Sequence, residues 1–156
     1  LNSFFDKNYS KQAEVINILT ERISKKCNSE VKIVVKTSFK TFDSDKFTNK
    51  AGLLVYEGFR SICPVTSQPD WGSIYLYSST NTLNKKEIFD FLFSLRNHGG
   101  FHENCIEKTF LYVKETFSVD HLEICGRFFR RGGIDINPIR STQKKLFFEN
   151  FREFNQ

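Results

Sequence analysis

Residues 84–117, NKKEIFDFLFSLRNHGGFHENCIEKTFLYVKETF, decide the fold. Asn84, with Glu87 three residues on, has the form of a helix start: one side chain caps a backbone N–H and a carboxylate sits in the first turn. Ile88, Leu92 and Leu95 then recur at helical spacing. RNHGG (96–100) ends that helix, because paired glycines are poor helix formers. Ile106, Phe110, Val113 and Phe117 repeat the spacing, so a second helix is expected from about residue 101 to residue 117.

On either side of this pair the pattern becomes β. Residues 53–62 are apolar and strand-compatible, and GSIYLYSS (72–79) supplies a second strand. HLEICGRFF (121–129) alternates, RRGG turns the chain, and IDINPIRS (134–141) gives a short last strand limited by Pro138. The order is ββααββ. Two hairpins flanking a helix pair predict an α+β unit, an antiparallel sheet with both helices on one face.

Upstream, KQAEVINILTERISKK (11–26) places Val15, Ile16, Leu19 and Ile23 on one helical face, and EVKIVV (30–35) alternates as a strand. Residues 36–50 are polar with scattered Phe and read as a linker, which puts a boundary near residue 50. At the other end, QKKLFFENFREFNQ (143–156) reads as a helix with a Phe face at 147, 151 and 154.

A chain of 156 residues fits one domain with a real core. Its net charge of +5 admits an anionic ligand, such as a phosphate-bearing cofactor or RNA. No apolar run approaches the roughly 20 residues that span a bilayer, and no signal pattern opens the chain. A cytoplasmic protein is expected. Cysteines at 27, 63, 105 and 125 form no C-x-x-C pair, which fits free thiols in a reducing compartment. The chain contains no Met, so Leu1 is expected not to be the natural start and the sequence to be a piece of a longer one.

The loop ICPVTSQPDWGS (62–73) holds one thiol and one carboxylate between prolines. An unperturbed thiol, with a pKa of about 8.5, is only a few per cent thiolate at neutral pH, so a catalytic Cys63 needs a partner that shifts it. Otherwise it is a small core residue. Asp70 is either a turn residue backed by a buried Trp71, or a carboxylate that Trp71 desolvates so that it can hold a proton for delivery. In FHE (101–103), Glu103 suits the first turn of a helix through the dipole. It equally suits an amidine edge such as that of guanine, with His102 able to shuttle a proton. His102 and Cys105 form an H-x-x-C pair that could join Cys63 around zinc, but the zinc-deaminase signature is missing. RRGG (130–133) is either a hairpin turn or a phosphate grip of two guanidiniums and backbone N–H groups.

Three motifs, CPVTSQPDWGS, SLRNHGGFHENCIEKTF and RFFRRGGIDINPIRS, closely resemble the C-terminal catalytic half of the NADPH-dependent 7-cyano-7-deazaguanine reductases in their two-module form. These are the nitrile reductases of queuosine biosynthesis, a tRNA modification. The resemblance covers roughly residues 53–142, with the motifs in the right order and spacing. LNSFFDKNYSKQAEVINILTERI resembles the segment that follows the family's E-S-K-S-x-K-x-Y signature, which is absent here. The resemblance therefore implies that residues 1–50 are a remnant of the first module with its linker, 51–142 the catalytic module and 143–156 a helical tail.

The family's fold is the tunnelling fold, a ββααββ unit that oligomerises into barrels. A homo-oligomer is implied, with the active sites at module interfaces. Cys63 resembles the nucleophile that attacks the nitrile to give a thioimide, and Asp70 the general acid/base at the nitrile nitrogen. His102 resembles a residue that assists proton transfer. Glu103, beside Phe101, resembles the group that recognises the deazaguanine edge. Arg130, Arg131 and Gly132 are expected at the NADPH phosphates. No metal, membrane or direct nucleic-acid contact is expected, although GTP cyclohydrolase, a relative in fold, uses zinc. Archaeal relatives keep the Cys and Asp but add ammonia to the nitrile in tRNA without reduction. That activity, or an inactive or RNA-binding fragment, is the alternative.

Overall fold

A computed structural model describes residues 7–35, 40–41, 52–79, 83–153 and 156. The chain divides into two compact units, Leu1–Ser38 and Phe39–Gln156. The division falls after Ser38, whereas the sequence pattern put a boundary near residue 50.

The first unit is built on one helix, α1 (Gln12–Cys27), with Glu14 in its first turn and Lys25 and Lys26 in its last, the arrangement a helix dipole favours. None of its residues is buried. Residues 30–35 form no strand, contrary to the alternation. Val31 gives its N–H to Ser24 Oγ (3.0 Å), and no strand among the described residues pairs with the segment. Alternation marks a half-buried strand only where a ladder partner exists.

The second unit carries a four-stranded antiparallel sheet in the order β2 (Leu53–Ile62), β3 (Pro69–Ser78), β4 (Leu122–Phe128) and β5 (Ile139–Ser141). Between β3 and β4 run α2 (Lys85–Ser94), a 3-10 turn (Leu95–Asn97) and α3 (His102–Phe117). This is the expected ββααββ order. Asn84 caps α2 by accepting the N–H of Glu87. The helices cover one face of the sheet, where Phe59, Ile74, Leu76, Leu122, Ile124 and Phe128 meet Ile88, Leu92, Ile106 and Val113. No helix among the described residues is long and apolar enough to cross a membrane.

The tail departs from the expected helix. It runs as bends and ends in β6 (Phe151–Arg152), which pairs in parallel with β1 (Lys40–Thr41). Most of the segment read as a linker, and Phe154 of the expected Phe face, lie outside the described residues. The reason lies on the sheet's other face. Tyr77 stacks on Phe147 (centroids 3.7 Å apart) and Tyr75 meets Phe151 edge-on (5.0 Å). These aromatic partners outweigh the helical period of the tail. Glu123 of β4, fully buried, fixes the crossing by accepting the N–H groups of Phe147 (2.9 Å) and Phe148 (2.6 Å).

Glu123→Ala orphans both N–H groups, each costing ~1–3 kcal/mol when buried without a partner. Urea unfolding should show a loss of about 2–6 kcal/mol by that reckoning, and about half of it for Glu123→Gln. Trypsin should cut faster after Lys144 and Lys145 in both variants.

Candidate active site

The site is built on a β-bulge. In β2, Glu57 and Gly58 stand opposite the single residue Ser73, because Tyr56 pairs with Ile74 and Phe59 with Gly72. Gly58 takes φ +69°, a conformation glycine tolerates. The extra residue reverses which side chains face the helices. Tyr56 and Phe59 both join the helix-side core, so Ser61 follows on that side and Arg60 on the other. Ser61 pairs across the ladder with Asp70, and Arg60 with Trp71. Asp70 thus lies inside β3, not in the preceding loop.

Asp70 is 3% exposed, and Trp71 is 37% exposed. Trp71 is therefore not what desolvates the carboxylate, since neighbouring strand residues point to opposite faces. The helix side does so. Asp70 Oδ1 takes His102 Nε2 at 3.3 Å, and it accepts from Arg131 Nε (2.7 Å) and Nη2 (2.5 Å). His102 is itself buried, its ring edge-on to Phe128 at 4.3 Å. Asp70 Oδ2 is buried without a hydrogen-bond partner among the described residues, and Ser61 lies against the Cys105 thiol.

Arg131 reaches Asp70 because of the RRGG turn. Arg131 and Ile134 exchange both backbone hydrogen bonds (3.1 Å each), and Gly132 (φ +58°) and Gly133 (φ +78°) fill the two turn positions. A two-residue turn of this hand requires positive φ at both places, which glycine supplies. Arg131 also donates to Gln68 Oε1 (2.7 Å) and to the Pro69 carbonyl (3.2 Å). Arg130 turns elsewhere, to Asp135 (2.9 Å) and the Gln156 carbonyl (2.9 Å).

Cys63 ends β2. Ile62 donates to the His98 carbonyl and accepts from Gly100, which fastens the strand end to the turn that opens α3. Cys63 N–H donates to the Gln68 carbonyl (2.8 Å) and its own carbonyl accepts from Ser67 (2.9 Å), closing a tight loop. The thiol is partly exposed, and its pKa lies below the ordinary thiol range. The Thr66 hydroxyl is the main cause, followed by the N–H groups of Thr66 and Val65, while the Asp70 charge opposes. Cys105 and Cys125 are buried, and burial pushes both up, Cys125 to about 11. Phe101 and Glu103 stand exposed at the start of α3, on either side of His102 in the chain.

A cavity of about 660 Å³ is lined by Asp70, Trp71, Phe129, Arg130, Arg131 and Gly132, with Gln68 and Pro69. The structure therefore gathers Asp70, His102 and Arg131 by contact and adds Arg130 and Gly132 around the cavity. Cys63, Phe101 and Glu103 are not among its lining residues. Sequence reasoning missed the grip of Arg131, itself braced by Gln68, on Asp70, and the buried Ser61 across the ladder from it. Only the two-residue glycine turn after Arg131 hinted at the first. Among the described residues, no group of three or more His, Cys, Asp or Glu side chains is gathered as a metal would need.

The second unit thus holds a thiol whose pKa is lowered, at the start of the loop before β3, and a buried, partly unsatisfied carboxylate beside an arginine-lined cavity. The QueF-like protein family model matches residues 69–146, half of the chain, and the chain belongs to that family. It is 40% identical over 97 residues to the NADPH-dependent 7-cyano-7-deazaguanine reductase of Coxiella burnetii, covering 62% of this chain and 35% of that protein. Against the protein of the same name from Legionella pneumophila it is 44% identical over 88 residues, 56% of this chain and 31% of the other. The chain thus spans about a third of the length of these relatives. The Hahella chejuensis protein of that name is 30% identical over 97% of this chain and 66% of its own length. Among solved structures, the archaeosine synthase QueF-Like in the apo form matches with a TM-score of 0.49 and 14% identity, over 60% of this chain and 95% of that one.

Alkylation by iodoacetamide, mapped by peptide mass against pH, should level off at a lower pH for Cys63 than for a free thiol. Thr66→Val removes the main acidifying contact, so that midpoint should move up. Cys125 should stay unreacted throughout this range.

Proposed function

We propose that the chain carries the catalytic site of a 7-cyano-7-deazaguanine reductase, which converts the nitrile to an aminomethyl group through a covalent adduct on Cys63. The observation that carries the reading is the asymmetry of Asp70. Oδ1 is held by Arg131 and His102, while Oδ2 is buried and unpartnered. A buried acceptor left unmatched is costly, and a proton on a bound substrate satisfies it.

The step balances as follows. Cys63 Sγ bonds to the nitrile carbon and its proton passes to Asp70 Oδ2. The C≡N bond becomes C=N, and Asp70 returns the proton to the nitrogen, leaving a neutral thioimide and a free carboxylate. Arg131 keeps the carboxylate oriented throughout. His102, bound to the same oxygen, is placed to relay a proton for the later reduction. Glu103 receives the paired N–H groups of the deazaguanine edge, with Phe101 beside it as an exposed ring for the base.

When bound, NADPH supplies the hydride for each of the two reductions. The cavity fits such a group, since Arg130 lines it and the left-handed turn at Gly132 borders it, while Arg131, expected at the phosphates, lines the cavity with its donors engaged by Asp70, Gln68 and Pro69. The homo-oligomer belongs to the same proposal, supported by the outer strands β2 and β5, beyond which the sheet has no further strand among the described residues.

Intact mass after incubation with 7-cyano-7-deazaguanine, without NADPH, should rise by one ligand. Cys63→Ala should show no gain, and Asp70→Asn should form the adduct about 10²- to 10⁴-fold more slowly, the usual worth of a positioned acid/base. No adduct at saturating ligand sinks the proposal for this chain.

A further inference from the structure

Trp71 carries a second feature on the sheet face away from the helices. The guanidinium of Arg60, its cross-strand neighbour, lies 5.9 Å from the ring centroid, and that of Arg96, from the turn before α3, lies 5.9 Å away as well. Arg60 is fixed there by donating through Nη1 to the Arg96 carbonyl (3.0 Å) and Asn97 Oδ1 (2.9 Å). Arg96 also lies 5.6 Å from the ring of Phe93, which is 58% exposed. Among the described residues neither guanidinium is paired with a carboxylate. By contrast Arg130, Arg131, Arg140 and Arg152 each are. Two cations free of acidic partners, around an exposed indole, form a surface complementary to a planar anion.

Trp71 also lines the cavity that holds Asp70, so the platform is continuous with the proposed reaction site. Arg131 spends its Nε, Nη1 and Nη2 on Asp70, Gln68 and Pro69, which leaves it little donor capacity for a phosphate. The relatives carry NADPH dependence in their names. NADPH differs from NADH only by a phosphate on the adenosine 2′-oxygen, so a preference for it needs cations at that phosphate.

Resting on the reductase reading, we infer that Arg60, Trp71 and Arg96 are the subsite for the 2′-phosphorylated adenosine end of the dinucleotide. Adenine stacks against Trp71, and the two arginines take the 2′-phosphate, which makes them the residues that select NADPH over NADH. The bulge at Gly58 is what brings Arg60 to this face.

Trp71 is the only tryptophan of the chain, so its emission reports on this place alone. The chain is titrated with 2′,5′-ADP and, separately, with 5′-AMP. Emission should be quenched saturably by 2′,5′-ADP, with 5′-AMP binding about tenfold to a hundredfold more weakly, the worth of charge-assisted hydrogen bonds. Arg60→Gln with Arg96→Gln should erase the difference. Arg96→Gln alone, at an exposed position that leaves the core untouched, should shrink it. No quenching, equal response to both nucleotides, or discrimination that survives the double substitution overturns the inference. So does quenching by a single-stranded RNA oligonucleotide at concentrations where 2′,5′-ADP has no effect. Adduct formation on Cys63 of the unsubstituted chain reads the reductase proposal separately. An adduct without discrimination removes only the subsite, and discrimination without an adduct removes only the reductase.

Discussion

The buried carboxylate of Asp70 is the constraint on which the rest of this molecule turns. A charge taken from water is costly unless paired and hydrogen-bonded, and removing one partner of such a pair is more damaging than never having built it. Asp70 finds its partners on two separate pieces of chain: Arg131 from the turn after β4 and His102 from the first turn of α3. Those pieces can meet only if β3 and β4 keep their register and the helix pair lies on the Asp70 side of the sheet. The polar centre and the hydrophobic core therefore demand the same arrangement, and His102 touches both, lying against Phe128 while bonded to Asp70.

The bulge divides labour between the two faces. Upstream of it, the helix side of β2 takes Tyr56. Downstream, it takes Phe59 and Ser61, and Arg60 is sent to the other face. That other face is dressed unevenly. Over Tyr75, Tyr77 and Cys125 it is covered by Phe147, Phe148 and Phe151. At the end carrying Trp71 the indole stays in part exposed between two guanidiniums. One inserted residue thus lets a four-stranded sheet present an acid on one side and a cationic aromatic platform on the other, at neighbouring positions of the same two strands.

How much of this could be read from the residues follows from how local each signal is. The helix pair was legible because Asn84, Glu87, the apolar spacing and Gly99–Gly100 all act within a few positions of one another. Cys63, Asp70 and His102 stood out because they sit in compact motifs. What failed was non-local. The alternation at 30–35 has no ladder partner among the described residues. The tail's Phe spacing suits a helix in isolation, yet Tyr75 and Tyr77 recruit those rings to a sheet that the tail's own sequence does not reveal. The pairing of Asp70 with Arg131 spans 61 residues, and it depends on register as well as on composition. Desolvation of Asp70 by Trp71, one of the two readings open to that pair, fails because adjacency within a strand separates the two side chains.

The electrostatics of Cys63 bear on the role proposed for Asp70. Thr66 and two loop N–H groups favour the thiolate, and the Asp70 charge works against it. A carboxylate kept ionised beside a nucleophile would weaken the site if its purpose were to acidify the thiol. It has another use if it receives the thiol's proton, because repulsion between carboxylate and thiolate disappears once Asp70 is protonated. The proton then sits on Oδ2, the one oxygen that nothing else in the described protein engages. In the proposed reaction it passes from there to the nitrogen of the nitrile once the carbon has been attacked. Under that proposal the loop makes the nucleophile and the buried acid carries its proton. Arg131 keeps those two roles from collapsing into a plain thiolate–carboxylate repulsion.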